Sequence, residues 1–409
     1  MDVIVEGACG LDVHQKTVVA CIRVTASGRK PVKEIKTFGT TLSDLEELRG
    51  WLHARGVTQV GMESTGVYWK PVYAVLEGSF ELIVGNAHHI KNVPGRKTDV
   101  KDAEWICELV RHGLVAKSFV PPKPIRELRD LMRYHRKLVE ERTGERNRLL
   151  KVLETANIKL SSVATDVFGK SGMAMLDAIA RGETSGDALA GLAQGLLKKK
   201  TAALKKALTG RIDEHHRFLL GVQLGRLRTA EADLAKVEAY VDAKMEPYRT
   251  QQHALEAIPG IGPHTARTII AEIGVDMRAF KNEHHLAAWA GLCPGNYESA
   301  GKRLGGRTRK GNRHLRSALV EASRSAIRKK GSYFRDRYYR LKARAGGNRA
   351  AVATAHKILI AAYRILADGT AYQDLGAQHL DNLHKTRTTR QLVKRLQALG
   401  FHVDLQPAA

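Results

Sequence analysis

The sequence predicts two structural classes in succession: an α/β domain, then a region that is almost entirely helical. Three observations carry this. Short β-type runs alternate with helical spacing over roughly the first 120 residues, Pro121-Pro122-Lys123-Pro124 interrupts the chain, and two long stretches with apolar residues every third or fourth position follow. The expected division is an α/β domain at 1–122, a helical, coiled-coil region at 123–250, a helical domain at 251–368 and a basic tail at 369–409.

Residues Val3–Cys9 and Thr17–Val24 read as strands flanking Gly10-Leu11-Asp12-Val13-His14, with a third strand at Lys33–Phe38. Leu42–Arg55 has helical spacing at Leu42, Leu45, Leu48 and Leu52, capped by Thr41 or Ser43. Gln59–Met62 reads as a short buried strand ending in Glu63, a helix starts near Tyr68 or Trp69, and Glu81–Val84 is the fifth strand. A helix over Val100–Val110 completes an order that is that of a ribonuclease-H-like sheet.

Beyond the prolines, Ile125–Asn157 predicts one helix about 50 Å long, at about 1.5 Å per residue. Its apolar positions are Ile125, Leu128, Leu131, Leu138, Leu149 and Leu153, and His135 and Arg142 interrupt the seam. Residues 160–210 hold shorter helices punctuated by Gly172, Gly182, Gly186 and Gly195, and Ile212–Met245 is a second long helix. No catalytic pattern falls in this region, which reads either as a spacer packing on itself or as a self-association device. Pro259-Gly260-Ile261-Gly262 between two helical segments is the signature of a helix-hairpin-helix, whose glycines let backbone amides approach a phosphate; plain helix packing uses the same turn. A helix at His285–Leu292 leads into a glycine-rich, basic loop at 291–316, further helices start at Gly311 and span His356–Leu366, and the aromatics Tyr333, Phe334, Tyr338 and Tyr339 interleave with arginines.

The chain has 67 Lys+Arg against 42 Asp+Glu, a formal charge of +25 that points to a polyanionic partner. Residues 301–350 alone carry a net +15, so the charge is concentrated rather than spread as a solubility device would be. Lys302, Arg303, Arg307, Arg309, Lys310, Arg313 and Arg316 are the expected nucleic-acid contacts, together with Gly260 and Gly262. No apolar run of about 18 residues predicts a membrane span. Four scattered cysteines, Cys9, Cys21, Cys107 and Cys293, fit free thiols in a reducing cytoplasm better than disulfides or a zinc site.

Asp12 falls at or just past the end of the first strand, Glu63 at the end of the fourth, and Asp99 and Asp102 are three residues apart in a segment continuing as a helix. Hard oxygen ligands gathered this way suit Mg²⁺ or Mn²⁺ and phosphoryl transfer. Each acid has a plainer reading alone, Asp12 as a turn residue and Asp99 as a helix cap. Together, in that topology, they favour metal.

Gly10-Leu-Asp-Val-His14, Met62-Glu-Ser-Thr-Gly-Val-Tyr-Trp69 and Lys97-Thr-Asp-Val-Lys-Asp-Ala103 resemble the three motifs of the DEDD transposases of the insertion sequence one-ten family, whose N-terminal domain is similar to the Holliday-junction resolvase RuvC. Gly291-Leu-Cys-Pro294 and Glu298-Ser-Ala-Gly301 resemble that family's C-terminal serine segment, and Lys310-Gly-Asn312 also matches. The resemblance implies that Asp12, Glu63, Asp99 and Asp102 bind the metal and that Ser299 attacks a DNA phosphate to give a 5′-phosphoserine. It also implies excision and insertion of a mobile element, a structured noncoding bridge RNA as guide, and assembly as a dimer or tetramer in a prokaryotic cytoplasm, near the nucleoid. Many members carry glycine directly after the serine, where this chain has Ala300. Tyr297 is the rival nucleophile; the motif match falls on Ser299. Two further readings stand beside this one: a RuvC-like endonuclease that uses water, and a non-enzymatic architectural nucleic-acid-binding protein.

Overall fold

The computed structural model describes residues 3–25, 32–93, 102–295, 297–383 and 385–406. The chain forms two compact units, Met1–Val120 and Pro121–Ala409. As expected, the first is α/β and the second is mostly helical.

The first unit holds five strands, β1 (Gly7–Val13), β2 (Thr17–Val24), β3 (Val32–Gly39), β4 (Gln59–Glu63) and β5 (Glu81–Gly85), in the order β3-β2-β1-β4-β5. The first three form an antiparallel meander, and β4 and β5 add parallel to β1. Helices α1 (Leu42–Ala54) and α2 (Trp69–Leu76) precede the short α3 (Ala87–Lys91), which the sequence reading missed, and α4 (Asp102–Arg111). Thr41 caps α1 through a reciprocal bond with Asp44. Alternation along β1 divides the core. Cys9 and Leu11 join Leu45, Leu48, Leu52, Val72 and Leu76 on one face, and Ala8 joins Ala103, Ile106, Cys107 and Val110 on the other.

The first strand lies four residues later than its expected place at both ends, because Gly7 and Gly10 belong to it rather than to a turn. Gly10 and Gly61 are register partners in β1 and β4. A Cβ on Gly10 would fall on the Ala103 carbonyl and the Cys107 amide, and one on Gly61 would strike Val110. The glycine pair is a trough into which α4 sinks.

In the second unit α5 (Lys123–Thr155) and α10 (Glu214–Met245) lie antiparallel, as the pairs Glu127–Lys244, His135–Glu238 and Glu145–Arg226 require. Their buried residues, Ile125, Leu128, Met132, His135 and Leu138 on α5 and Leu220, Leu224, Leu227, Leu234 and Val241 on α10, follow a three-and-four alternation. The seam is spent inside the chain. Met132, not Leu131, fills the inner position, and His135 is buried in the seam with its Nε2 3.1 Å from Glu238 Oε1. The far ends of both helices join α6 (Leu160–Val163), α7 (Lys170–Ala180), α8 (Gly186–Gly191) and α9 (Thr201–Leu208) in one apolar cluster. Gly172 does not punctuate there: it lies inside α7, where a Cβ would collide with the Val167 carbonyl.

Helices α11 (Arg249–Glu256), α12 (Pro263–Ile273), α13 (Glu283–Trp289), α14 (Arg313–Ala326), α15 (Tyr333–Ala345) and α16 (Gly347–Asp368) complete this unit, with α17 (His379–Leu383) and α18 (Lys385–Ala398) after them. The C-terminal stretch expected as a tail therefore contains helices. By length and composition α16 is long and apolar enough to cross a membrane; here Ala351, Thr354, Ala355, Ile358, Leu359, Ala362 and Ile365 are buried at helical spacing in the core of this unit.

Candidate active site and nucleic-acid interface

Two places matter, one in each unit. In the first, β1 and β4 run parallel with Leu11 level with Met62, so the next residue on each strand, Asp12 and Glu63, are neighbours at the same end of the sheet. Alternation puts both on the face that carries Gly10 and Gly61 and therefore α4. Helix α4 runs antiparallel to β1: Arg111 near its end accepts amide bonds from Ile4 and Val5, while Ala103 meets Gly10. Asp102, the first residue of α4, thus belongs to the same end of the sheet as Asp12 and Glu63. Three of the four acids share one corner, and Asp99 lies outside the described residues.

Local partners hold two of these carboxylates. His14 Nε2 stands 3.1 Å from Asp12 Oδ2, and the Thr65 hydroxyl donates to Glu63 Oε1. Neither partner stands among the expected site residues, although His14 follows Asp12 at the two-residue interval that keeps side chains on one side of an extended chain. Among the described residues no three His, Cys, Asp or Glu side chains form a ready-made metal cluster.

The second place is the loop between α13 and α14. It is a hairpin, with β6 (Tyr297–Ser299) paired antiparallel to β7 (Lys302–Gly305) and Ser299 opposite Lys302. The two residues at its tip, Ala300 and Gly301, have φ of 48° and 74°, the left-handed conformation at both positions of a two-residue turn that matches strand twist. Below the tip, Gly295 N–H bonds to the Arg307 carbonyl at 2.8 Å and Pro294 bridges Thr308. At the root, Gly291 (φ 71°) lies against Gly311, where a Cβ on Gly311 would strike the Gly291 backbone. The glycine motifs at 291 and 311 are thus the two sides of one closed stem. Tyr297 and Ser299 are backbone neighbours in β6; their side chains, and that of Arg303, lie outside the described structure.

Asn312 ties the stem to the helices. Its amide N–H reaches the Trp289 carbonyl, its side-chain oxygen caps α14 by accepting from the His314 and Leu315 amides, and its side-chain nitrogen donates to Glu272 Oε2 at 2.6 Å. Glu272 on α12 is 1% exposed and takes two bonds of 2.8 Å from Arg133. Arg129 donates to the Ala271 and Glu272 carbonyls beside it. Burial alone would push the Glu272 carboxyl up. Arg133, with Asn312 and Arg129, outweighs it and holds the group below the ordinary carboxylate range. Burial pulls the Arg129 guanidinium down to about 10, which leaves it charged at neutral pH.

Of the expected contacts, Lys302, Arg307, Arg309, Lys310 and Arg313 are exposed on or just after the hairpin, and Arg316 is half-buried. Gly260 (φ 89°) has a packing reason for its identity, since a Cβ there would meet the Ala322 carbonyl and Ala326 of α14. Gly262, the N-cap of α12, faces open space.

Residues 9–158 match the model of a DEDD transposase family of the IS110 type, and 252–339 match that of the transposase IS116/IS110/IS902 family. Together the two cover more than half of the chain and take in both places just described. The chain belongs to the IS110 family of transposases. A probable family 20 transposase of Pseudomonas aeruginosa is 28% identical over 275 residues, 66% of this chain and 71% of that protein. A putative transposase (y4pF/y4sB) of Sinorhizobium fredii is 28% identical over 289 residues, 69% of this chain and 65% of that protein. As a member of a transposase family the protein is an enzyme acting on DNA, and DEDD transposases characteristically use a divalent metal.

Proposed function

We propose that this transposase cuts and rejoins DNA with two groups, a carboxylate-held divalent ion and a serine nucleophile. Asp12, Glu63, Asp99 and Asp102 hold Mg²⁺, or Mn²⁺ in its place. The observation that carries this is the register that sets Asp12 beside Glu63, with Asp102 at the helix end above the same corner. An all-oxygen acidic set fits a hard cation and would repel itself without one. The strand order and the placement of acids at strand ends support a ribonuclease-H-like, RuvC-like reading of this unit. When bound, the ion supplies positive charge to the phosphate oxygens and to the oxygens entering and leaving phosphorus.

Ser299 is the nucleophile, presented one residue before the turn of a braced hairpin. Its Oγ–P bond forms as the P–O3′ bond of the DNA breaks. The serine hydroxyl gives up its proton to solvent, the departing 3′ oxygen gains one, and the 5′ end stays on the protein as a phosphoserine. Lys302, Arg307, Arg309 and Lys310 on the exposed hairpin hold the strand, and the α11–α12 turn acts as a helix-hairpin-helix through Gly262. A structured noncoding RNA guides the choice of donor and target DNA, supported by the excess of cations, which serves either nucleic acid. The enzyme works as a homo-oligomer. Since the α5–α10 seam is satisfied within one chain, the exposed Phe218 and Val222 on α10 are the apolar face a second copy would cover.

The test incubates end-labelled element DNA and Mg²⁺ with the protein and counts label that survives denaturation on it. Wild type and Tyr297→Phe should yield the adduct, and Ser299→Ala and Asp12→Asn should not. An adduct that persists in Ser299→Ala removes the serine assignment. Metal-dependent cleavage with no adduct in any variant favours water as nucleophile.

A further inference from the structure

We propose that the notch between α5 and α14 is a second DNA-backbone contact, holding the phosphodiester strand that runs to or from the serine hairpin. It rests on the reading of this protein as one that acts on DNA at that hairpin, and adds a contribution from the long helix α5, in which the sequence shows no chemistry.

The notch, of about 510 Å³, is lined by Arg133, Arg136 and Lys137 of α5 and by Arg313, His314 and Ser317 of α14, with Glu140 as its one acid. Positions 133, 136, 137 and 140 share one face of α5, and 313 and 317 share one face of α14. Two helices thus bring four cations to one space, and Glu140 in the lining with the buried Glu272 behind Arg133 offsets two of them, so a net positive charge is left to attract an anion. The cations differ in freedom. Arg133 is fixed by its paired bonds to the buried Glu272. Among the described residues Arg136 is held only by Glu140, 3.1 Å away in a pair whose side chains are 37% and 61% exposed, so a phosphate can replace that partner at little cost. Lys137 and Arg313 are exposed. Burial, with the fields of Arg133 and Arg313, holds the His314 imidazole below its ordinary value, so it stays neutral and polar instead of adding a fifth like charge.

Position decides the occupant. Arg313 directly follows Asn312, which closes the stem of the Ser299 hairpin, so a strand lying across Lys310 and Arg309 continues into the notch. The volume suits a stretch of backbone, whereas a lone inorganic anion would leave most of it to water.

The full-length protein is titrated with a labelled random-sequence DNA duplex at several salt concentrations, and separately with a labelled hairpin RNA. Arg136→Gln with Lys137→Gln should weaken duplex binding and lower the slope of log affinity against log salt by about 0.9 per contact removed. The control pair Lys151→Gln with Lys236→Gln, exposed on α5 and α10, should leave the slope near wild type. An unchanged slope in the notch variant, an equal drop in the control, or a loss confined to RNA would overturn the proposal. A lowered slope in a protein that forms no serine adduct would uphold the notch and remove the nucleophile assignment, so the two fail separately.

Discussion

Ala300 sits at φ 48° at the tip of the hairpin, a conformation that costs an L-residue about 1–2 kcal/mol over glycine. This is the position where many family members carry glycine, and the turn explains why. Ala300→Gly should therefore stabilise the hairpin by about 1 kcal/mol once the extra chain entropy of glycine is set against the relieved strain. Hydrogen exchange of the β6 and β7 amides would show it as a roughly fivefold slowing; unchanged or faster exchange would contradict the turn. Gly10 has the opposite character. Gly10→Ala places a methyl group in the backbone of α4 and should destabilise the first unit by at least about 1–3 kcal/mol, read as a lower midpoint in urea unfolding. Gly10 and Gly301, the neighbour of Ala300, are both glycines of sequence motifs, yet a packing trough in a strand and a turn look alike there. Only the neighbouring backbone tells them apart.

Between elements, the junction of α5, α12 and α14 depends on Glu272. Because its folded carboxyl lies below its ordinary value, the stability it contributes is fully present above about pH 4.5 and is lost as pH falls through the depressed value. Glu272→Gln should flatten the acid limb of a stability–pH curve and, by leaving Arg129 and Arg133 without their counter-charge, cost roughly 3–5 kcal/mol at neutral pH. If the acid limbs of wild type and variant coincide, the junction does not titrate as argued. The heptads of α5 and α10 were legible from leucine spacing, and so was the length of each helix to within two or three residues. Their use was not. Apolar spacing predicts a stripe that needs covering, but cannot say whether the cover is the same chain or another, and it reads His135 as a break in the seam because its pairing with Glu238 depends on a residue about a hundred positions away.

At the scale of the molecule, the unit Met1–Val120 has its own two-faced core and ends at the proline run. A 1–120 fragment should unfold in one cooperative transition. Millimolar Mn²⁺ should raise its midpoint by mass action on the native acidic corner, an effect that Asp12→Asn removes. A fragment without a cooperative transition would mean that this unit needs the rest of the chain. Metal-independent melting of a folded fragment would count against the carboxylate site.

The sequence by itself determined that a mixed α/β region precedes a mostly helical one, the order of the five strands and the cationic region around 301–350, because periodicity and charge act locally. The tertiary structure alone decided that Asp12 and Glu63 are neighbours on the face that α4 covers, that the glycines at 291 and 311 close one stem, and that α5 and α14 bring four cations into one notch. Each of those facts is a meeting of residues far apart along the chain. Strand register and helix packing create such meetings, and no local pattern encodes them.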